Sequence, residues 1–267
     1  MSVLATDVRV RLGRTQILHG VDLTARAGEV TCIVGPNGSG KTTLMKALTG
    51  EIPYDGRIEL EGQDVARLTP DALARLRGVL PQASALSFPF TVQEVVSLGL
   101  LDRRDPRPVR HALAQVGLLD LAARFYQDLS GGQKQRVQLA RVLTQIGTPV
   151  WHGGARWLFL DEPVSALDIA HQVQVMQIAR DFALGGGGVI AIMHDLNLTA
   201  MFADHVVVLR DGAVLASGSV AQTIRPEVLE PAYGCRMSFG TQPGSDIPVI
   251  LPLLAPQAGA ADRAGAA

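Results

Sequence analysis

Residues 29–49 read Glu-Val-Thr-Cys-Ile-Val-Gly-Pro-Asn-Gly-Ser-Gly-Lys-Thr-Thr-Leu-Met-Lys-Ala-Leu-Thr, and three textures meet in them. Glu29–Val34 is almost continuously apolar, as a strand buried on both faces of a parallel sheet should be. Gly35–Gly40 is a glycine-rich loop. Lys41–Thr49 has helical spacing and stops at Gly50, a good C-terminal residue for a helix. Within this stretch Gly35-Pro36-Asn37-Gly38-Ser39-Gly40-Lys41-Thr42 fits G-x-x-x-x-G-K-[ST] in the strand-to-helix setting the motif needs. Glycines let the backbone curl so that successive N–H groups point at phosphate oxygens, and the helix N-terminus adds a dipole that favours anions. Lys41 is expected to reach the β and γ phosphates as a point charge, with Thr42 offering its hydroxyl to Mg²⁺ and Thr43 completing the nucleotide-binding set that begins at Gly35.

Outward from this loop the chain alternates strands and helices. Val8 and Val10 alternate with Arg9 and Arg11, and Ile17–Ala25 and Gly56–Leu60 read as further strands. Leu73–Arg77 reads as helical and Val79-Leu80 as a short strand ending at Pro81. From about residue 90 to 146 strand signals nearly vanish: Thr91–Leu101, Val109–Val116, Leu118–Tyr126 and Gly131–Ile146 carry helical spacing, with a proline- and arginine-rich loop at residues 102–108. Strand character returns at Trp157–Leu160. A helix over Asp168–Phe182, a glycine run Gly185–Gly188 read as a flexible connection, and a strand Val189–Met193 follow. Asp211-Gly212 between Val206–Leu209 and Ala213–Ser217 signals a hairpin. The organisation expected is one α/β domain over residues 1–240 with an inserted helical subdomain, then a C-terminal extension over 241–267 with a frayed end. Such sheets bind ligands beyond the carboxyl ends of their strands.

Composition narrows the function. The 267 residues are 47% hydrophobic and 18% charged, with 24 Lys plus Arg against 25 Asp plus Glu. That excludes a disordered chain, and at this size about three quarters of the unfolded surface is buried on folding. The net charge of -1 and 4% aromatics give neither the basic footprint nor the stacking platforms of a nucleic-acid binder. Cys32 and Cys235 lack zinc or redox spacing and read as inert thiols of a reducing compartment. The N-terminus has no apolar h-region or cleavage site. The longest apolar runs fall far short of the ~20 residues that span a bilayer, so the chain is expected not to cross a membrane by itself. Docking onto a membrane protein stays open.

Two further motifs carry chemistry. Trp157-Leu-Phe-Leu-Asp161-Glu162-Pro163 is an apolar strand ending in two acids, which a buried strand should not do without a reason. Asp161 is expected to hold Mg²⁺, through water, and Glu162 to polarise the attacking water as general base. Leu129-Ser130-Gly131-Gly132-Gln133 precedes the helix Lys134–Ile146 and makes a second anion site. One chain rarely needs two γ-phosphate sites, so this one is expected to act in trans on a partner's nucleotide. Read alone, Gln82 is a surface residue after Pro81. His194 lies at the carboxyl end of a buried strand. His19, His111, His152, His171 and His205 read as structural or surface residues.

The phosphate loop, Gln82, LSGGQ, LFLDEP, Ser165-Ala-Leu-Asp168 and His194, in that order, resemble the ATP-binding cassette family of ATPases from about residue 3 to 240. The resemblance implies a P-loop NTPase (RecA-like) core with an N-terminal antiparallel β subdomain and an inserted α-helical subdomain. It implies ATP and Mg²⁺ as ligands. Gln82 would touch Mg²⁺ or the lytic water and link to a membrane subunit. Ser130, Gly131, Gly132 and Gln133 would clamp the γ-phosphate of the other protomer, Asp168 would lie on a loop crossing the dimer interface, and His194 would contact the γ-phosphate. The assembly implied is a head-to-tail homodimer on two transmembrane permease subunits, with a periplasmic or lipid-anchored substrate-binding protein. The chain would then be peripheral on the cytoplasmic face of the inner membrane.

Within the family, Leu80–Val96 is similar to the group serving iron-chelate, vitamin B12 and hemin importers. The segment Gly147–Trp157 and Ser165–Gln172 lean toward the hemin branch. An exporter subunit, a cassette ATPase acting on DNA ends or ribosomes, and a regulator without turnover are the competing readings. The chain departs from the family where an aromatic residue normally stacks on adenine: Leu12 occupies that place, so that an apolar contact replaces stacking or Arg11 stacks instead, and weak discrimination between ATP and GTP is expected.

Overall fold

The computed structural model describes residues 1–82, 88–101 and 105–253. The first two strands, β1 (Ser2–Leu12) and β2 (Thr15–Arg26), pair antiparallel across a tight turn. Val8 and Val10 are buried while Arg9 and Arg11 are exposed, the one-sided pattern of a half-buried sheet. Next come β3 (Val30–Val34), the phosphate loop and α1 (Lys41–Leu48). With β4 (Asp55–Leu60) and β5 (Gln63–Asp64), the first two strands form a four-stranded antiparallel sheet in the order β2-β1-β4-β5.

Thr69 caps α2 (Pro70–Leu76), which runs straight into β6 (Arg77–Leu80). Three helices follow: α3 (Val92–Ser97), α4 (Arg107–Gln115) and α5 (Gly131–Ile146). Both α3 and α5 start with a capping box, Thr91 with Glu94 and Ser130 with Gln133. The helix expected over Leu118–Tyr126 is not there. Only 3₁₀ turns form, at Leu119–Leu121 and Tyr126–Asp128. The physical reason is competition for backbone groups: Ala122 and Arg124 accept from the N–H groups of Gln93 and Val92, and Tyr126 donates to Phe90. The segment is spent on anchoring the start of α3. The stretch 83–87, part of the 102–108 loop and the expected frayed end beyond 253 lie outside the described residues.

A two-strand hairpin, β7 (Val150–Trp151) and β8 (Gly154–Ala155), leads into β9 (Trp157–Asp161). Then come α6 (Ile169–Leu184), β10 (Gly188–Ile192), α7 (Leu196–Phe202), β11 (His205–Arg210) and β12 (Ala213–Gly218). The chain continues through α8 (Val220–Thr223), α9 (Pro226–Tyr233) and a hairpin of β13 (Met237–Thr241) with β14 (Pro248–Pro252). The expected boundary at residue 240 falls inside β13. The hairpin docks on α7: Ile250 is buried, and both its N–H and its carbonyl bond to the Asn197 side chain, at 2.8 and 3.1 Å.

The central sheet has six strands in the order β12-β11-β3-β10-β9-β6, parallel except for β12. The inner strands β3, β9 and β10 are buried along their whole length because both faces are covered. Val30, Cys32 and Val34 of β3 enter one core with Leu158, Leu160, Val189 and Ala191, against helices α3–α7 and α9. Ile33 enters the other with Trp157, Phe159, Ile190 and Ile192, against α1 and the antiparallel sheet. Each strand alternates between the two cores, so a one-residue slip would exchange both.

The glycine run before β10 is a close-approach device and not the flexible connection expected of it. A Cβ at Gly185 would meet the Pro149 ring at 2.8 Å, at Gly187 the Phe182 ring at 2.3 Å, and at Gly188 the Trp157 ring at 2.4 Å. The run lets the chain pass between these side chains on its way into the sheet.

Candidate active site

Sheet register assembles the site. Ile33, Ile192 and Asp161 are neighbours across β3, β10 and β9, and Leu80 of β6 is level with Leu160. The strands therefore end together, and the residues that follow them emerge side by side: the phosphate loop, His194, Glu162 and Gln82. Asn37, Gly38, Gly40, Lys41, Thr42, Thr43, Gln82, Glu162 and His194 line one open cleft of about 660 Å³.

The loop is shaped by its glycines. Gly35 has φ +149° and a Cβ there would lie 2.0 Å from the Leu209 carbonyl, so the loop begins where only hydrogen fits. Gly35 and Ser39 lie buried beneath the loop, Pro36 on its shoulder, while Asn37 and Gly38 are exposed. Lys41 is buried, and its ammonium donates to the carbonyls of Gly35 and Pro36, at 2.8 and 2.9 Å. Burial lowers the Lys41 pKa, and the carboxylates of Glu162 and Asp161 oppose that shift.

Asp161 closes β9 and is buried. Burial pushes its carboxyl above the ordinary carboxylate range, although the Thr42 hydroxyl, donating across 3.5 Å, favours the charged form. A buried carboxylate facing a hydroxyl at the foot of a phosphate cleft is a hard-oxygen donor pair. It fits Mg²⁺, which takes one or two protein oxygens and completes its shell with phosphate and water.

Glu162 is the turning point of the strand. Its N–H still bonds to the Ile192 carbonyl at 3.2 Å, yet its φ is +52°, the left-handed region that a bulky side chain adopts only under compulsion. That twist brings its side chain to the cleft wall, where Oε1 sits 2.6 Å from His194 Nε2. Beside the Ser165 hydroxyl, which donates to the Glu162 carbonyl at 3.3 Å, the turn is braced by Gln135 on α5. Its amide donates to the Glu162 carbonyl at 2.8 Å, and its oxygen accepts the Ala166 N–H at 3.2 Å. Composition and motif spacing gave no sign of Gln135, two positions beyond the signature, because its role lies in a contact between α5 and a loop about thirty residues away.

The remaining expected residues stand apart from this cleft. Ser130 accepts the Gln133 N–H and caps α5, while Gln133 returns a bond to the Ser130 N–H. Gly132 passes so near the Ala166 carbonyl that a Cβ would come within 2.8 Å. Asp168 caps α6 and holds His171 Nδ1 at 2.8 Å. None of Ser130, Gly131, Gly132, Gln133 or Asp168 lines the Lys41 cleft. Gln82 borders both regions, for it also lines a small cavity of about 170 Å³ with Gly131, Gln135 and Ala166. Leu12 is exposed at the end of β1, and the apolar wall of the cleft is Ile17. Ile17 sits in a strand-like run and had no feature to mark it.

A family model described as ABC transporter matches residues 18–165. The chain belongs to the ABC transporter family. This cassette is an ATPase, with ATP as its nucleotide. It is 57% identical over 261 residues to the hemin import ATP-binding protein HmuV of Jannaschia sp. (strain CCS1), covering 97% of each chain. It is 53% identical over 255 residues to the protein of that name from Roseobacter denitrificans, covering 94% of this chain and 98% of the other. Its fold matches a solved metal-chelate type ABC transporter in an inward-facing conformation at TM-score 0.75 and 24% identity, over 95% and 97% of the two chains. Among the described residues no helix is long and apolar enough to cross a membrane.

Proposed function

We propose that this cassette is the ATP-hydrolysing motor subunit of a hemin importer. The observation that carries the motor reading is the single cleft that gathers Lys41, Thr42, Glu162, His194 and Gln82 at the ends of adjacent parallel strands. The hemin cargo is supported by two relatives, both hemin import ATP-binding proteins, at 57% and 53% identity over nearly the whole chain.

In this reading ATP enters the cleft with its phosphates over the backbone of residues 35–40. Lys41 leaves its own loop carbonyls for the phosphate oxygens. Thr42 and Asp161, with Gln82 nearby, would hold Mg²⁺, which when bound neutralises charge developing on the phosphates. Glu162 takes the proton of the attacking water, and His194 fixes the carboxylate and faces the γ-phosphate. Ser130, Gly131, Gly132, Gln133 and Asp168, being outside this cleft, serve the nucleotide of a second copy in a head-to-tail homodimer. Two transmembrane permease subunits dock near Gln82 and the helices α3–α5, placing the motor on the cytoplasmic face of the inner membrane. A periplasmic or lipid-anchored binding protein delivers cargo. Dimer closure on ATP and reopening after hydrolysis switch the pore.

The test is hydrolysis and uptake by the complete complex in lipid vesicles, with binding protein loaded with hemin, a ferric siderophore or vitamin B12. Stimulated hydrolysis and uptake with hemin alone are expected, both abolished by Glu162→Gln. Response to another cargo overturns the hemin assignment. Residual full-rate hydrolysis in Glu162→Gln removes Glu162 as the base.

A further inference from the structure

The first glycine of the phosphate loop is held from outside the loop. The N–H of Gly35 donates to the hydroxyl of Tyr233 at 3.0 Å, across 198 positions of sequence. The same residue's carbonyl accepts the Lys41 ammonium at 2.8 Å. Both backbone polar groups of Gly35 are thus engaged, one by the lysine that serves the phosphates and one by the last residue of α9. We propose that Tyr233 is a positioning residue for the phosphate loop, and that its hydroxyl on the Gly35 N–H sets the affinity of the cassette for nucleotide.

Three independent features make α9 a firm support. The Arg210 guanidinium, at the end of β11, donates to the Pro231 carbonyl within α9. The Glu230 carboxylate accepts the Met237 N–H at 2.8 Å and ties α9 to the first strand of the terminal hairpin. The second strand of that hairpin is fastened to Asn197, three residues beyond His194, by the paired bonds to Ile250. The C-terminal segment therefore touches the site at two points, behind Gly35 and behind the helix that follows His194. Burial pushes the Tyr233 hydroxyl up to about 12, so it stays a neutral acceptor at every pH at which the protein works.

The consequence for binding follows from the surroundings of Gly35. It is buried, no side chain fits at its position, and Tyr233 is the partner of its N–H. Without the hydroxyl the N–H has no acceptor, and the peptide gains by rotating toward another. The N–H sits on the Val34–Gly35 peptide, so such a rotation turns the Gly35 α-carbon and, through it, the adjoining Gly35–Pro36 peptide whose carbonyl holds Lys41, and takes the loop out of the shape that receives phosphate. Apparent affinity falls in proportion to the fraction of loop still competent. If that fraction drops to roughly a tenth or a fifth, Kd rises about five- to tenfold, or about 1.0–1.4 kcal/mol.

The experiment is equilibrium titration of the full chain with methylanthraniloyl-ATP and -ADP, for wild type, Tyr233→Phe and Leu229→Ala. Leu229 is fully buried on the same helix and has no polar side-chain group, so Leu229→Ala lowers overall stability while the Tyr233 hydroxyl and the anchors of α9 at Pro231 and Glu230 remain. Tyr233→Phe is expected to raise both Kd values about five- to tenfold while kcat at saturating ATP stays within about twofold. Leu229→Ala is expected to lower Tm with Kd unchanged. Amide exchange at Gly35, read by NMR on ¹⁵N-labelled chain, should accelerate only in Tyr233→Phe. A Kd for Tyr233→Phe within about twofold of wild type overturns the proposal. So does an equal rise in Leu229→Ala measured where both variants are folded. The readout is nucleotide affinity, so it stands apart from the identity of the cargo.

Discussion

Replacing Gln135 by alanine separates the loop that carries Glu162 from the helix that braces it. The substitution removes the bond to the Glu162 carbonyl at 2.8 Å and the bond from the Ala166 N–H at 3.2 Å. Each such bond contributes about 0.5–1.5 kcal/mol net. The left-handed backbone at Glu162, with φ +52°, itself costs on the order of 1–2 kcal/mol and persists because its neighbours impose it. Freed from Gln135, the loop can relax toward ordinary φ, and the carboxylate then leaves its place beside His194. A loss of about 1–3 kcal/mol in the hydrolytic geometry corresponds to roughly 5- to 150-fold in rate, and a fall of about tenfold in kcat is expected. Lys41 and Thr42 are untouched, so KM for ATP should stay within about twofold.

Phosphate release by the full chain, measured across a range of ATP concentrations, reads both quantities. Gln135→Glu keeps an acceptor for Ala166 but sets a carboxylate against the Glu162 carbonyl, and should be impaired at least as far. A kcat for Gln135→Ala within about twofold of wild type would refute the reasoning. It would mean that the bond from the Glu162 N–H to Ile192 and the Ser165 hydroxyl, which donates to the Glu162 carbonyl at 3.3 Å, suffice to hold the turn.

Asp161→Asn should stabilise the nucleotide-free chain while abolishing hydrolysis. The folded pKa of Asp161 is raised by burial, so below its unfolded value nothing distinguishes the states, and stability is lost as pH rises through the folded value. Removing the buried charge lifts Tm near neutral pH, and a Tm difference independent of pH would exclude burial as the cause. Thiol titration of the native chain should find Cys235 alone, with Cys32 reacting only after denaturation. Cys32 is fully buried and its thiol is pushed up to about 12 by desolvation, so two fast thiols in native buffer would contradict the packing of β3. Competition binding should give Kd values for ATP and GTP within about threefold, because the cleft offers Ile17 as a wall in place of an aromatic face. A strong preference for ATP would show that a base-reading group lies elsewhere.

What the sequence disclosed and what it hid divide along one physical line. Patterns generated by local rules were legible. The apolar runs at residues 30–34 and 157–161 are strands because both their faces are covered, and the phosphate loop is a loop because its glycines adopt backbone angles other residues avoid. Features that depend on where distant segments meet left no local trace. Leu118–Tyr126 keeps helical spacing, yet the start of α3 takes its backbone groups. Gly185–Gly188 has the composition of a slack linker, and only the rings of Phe182 and Trp157 beside it explain why nothing larger fits. Gln135 and Tyr233 are ordinary residues on helices until the contacts across 27 and 198 positions are seen.

The same contacts bear on what nucleotide has to displace from the resting site. Its two principal charged groups are already occupied within the chain: the Lys41 ammonium by the carbonyls of Gly35 and Pro36, and the Glu162 carboxylate by His194. A charge partnered in a partly buried cleft gains little from an exposed competitor. In the proposed mechanism nucleotide draws only the lysine from its resting partners, by offering phosphate oxygens in place of two loop carbonyls, while Glu162 keeps the place beside His194 from which it takes the proton of water. The two braces then divide the work: α9 supports the loop that Lys41 leaves, and α5 supports the turn on which Glu162 stays. A change at the first brace is expected in nucleotide affinity and a change at the second in turnover.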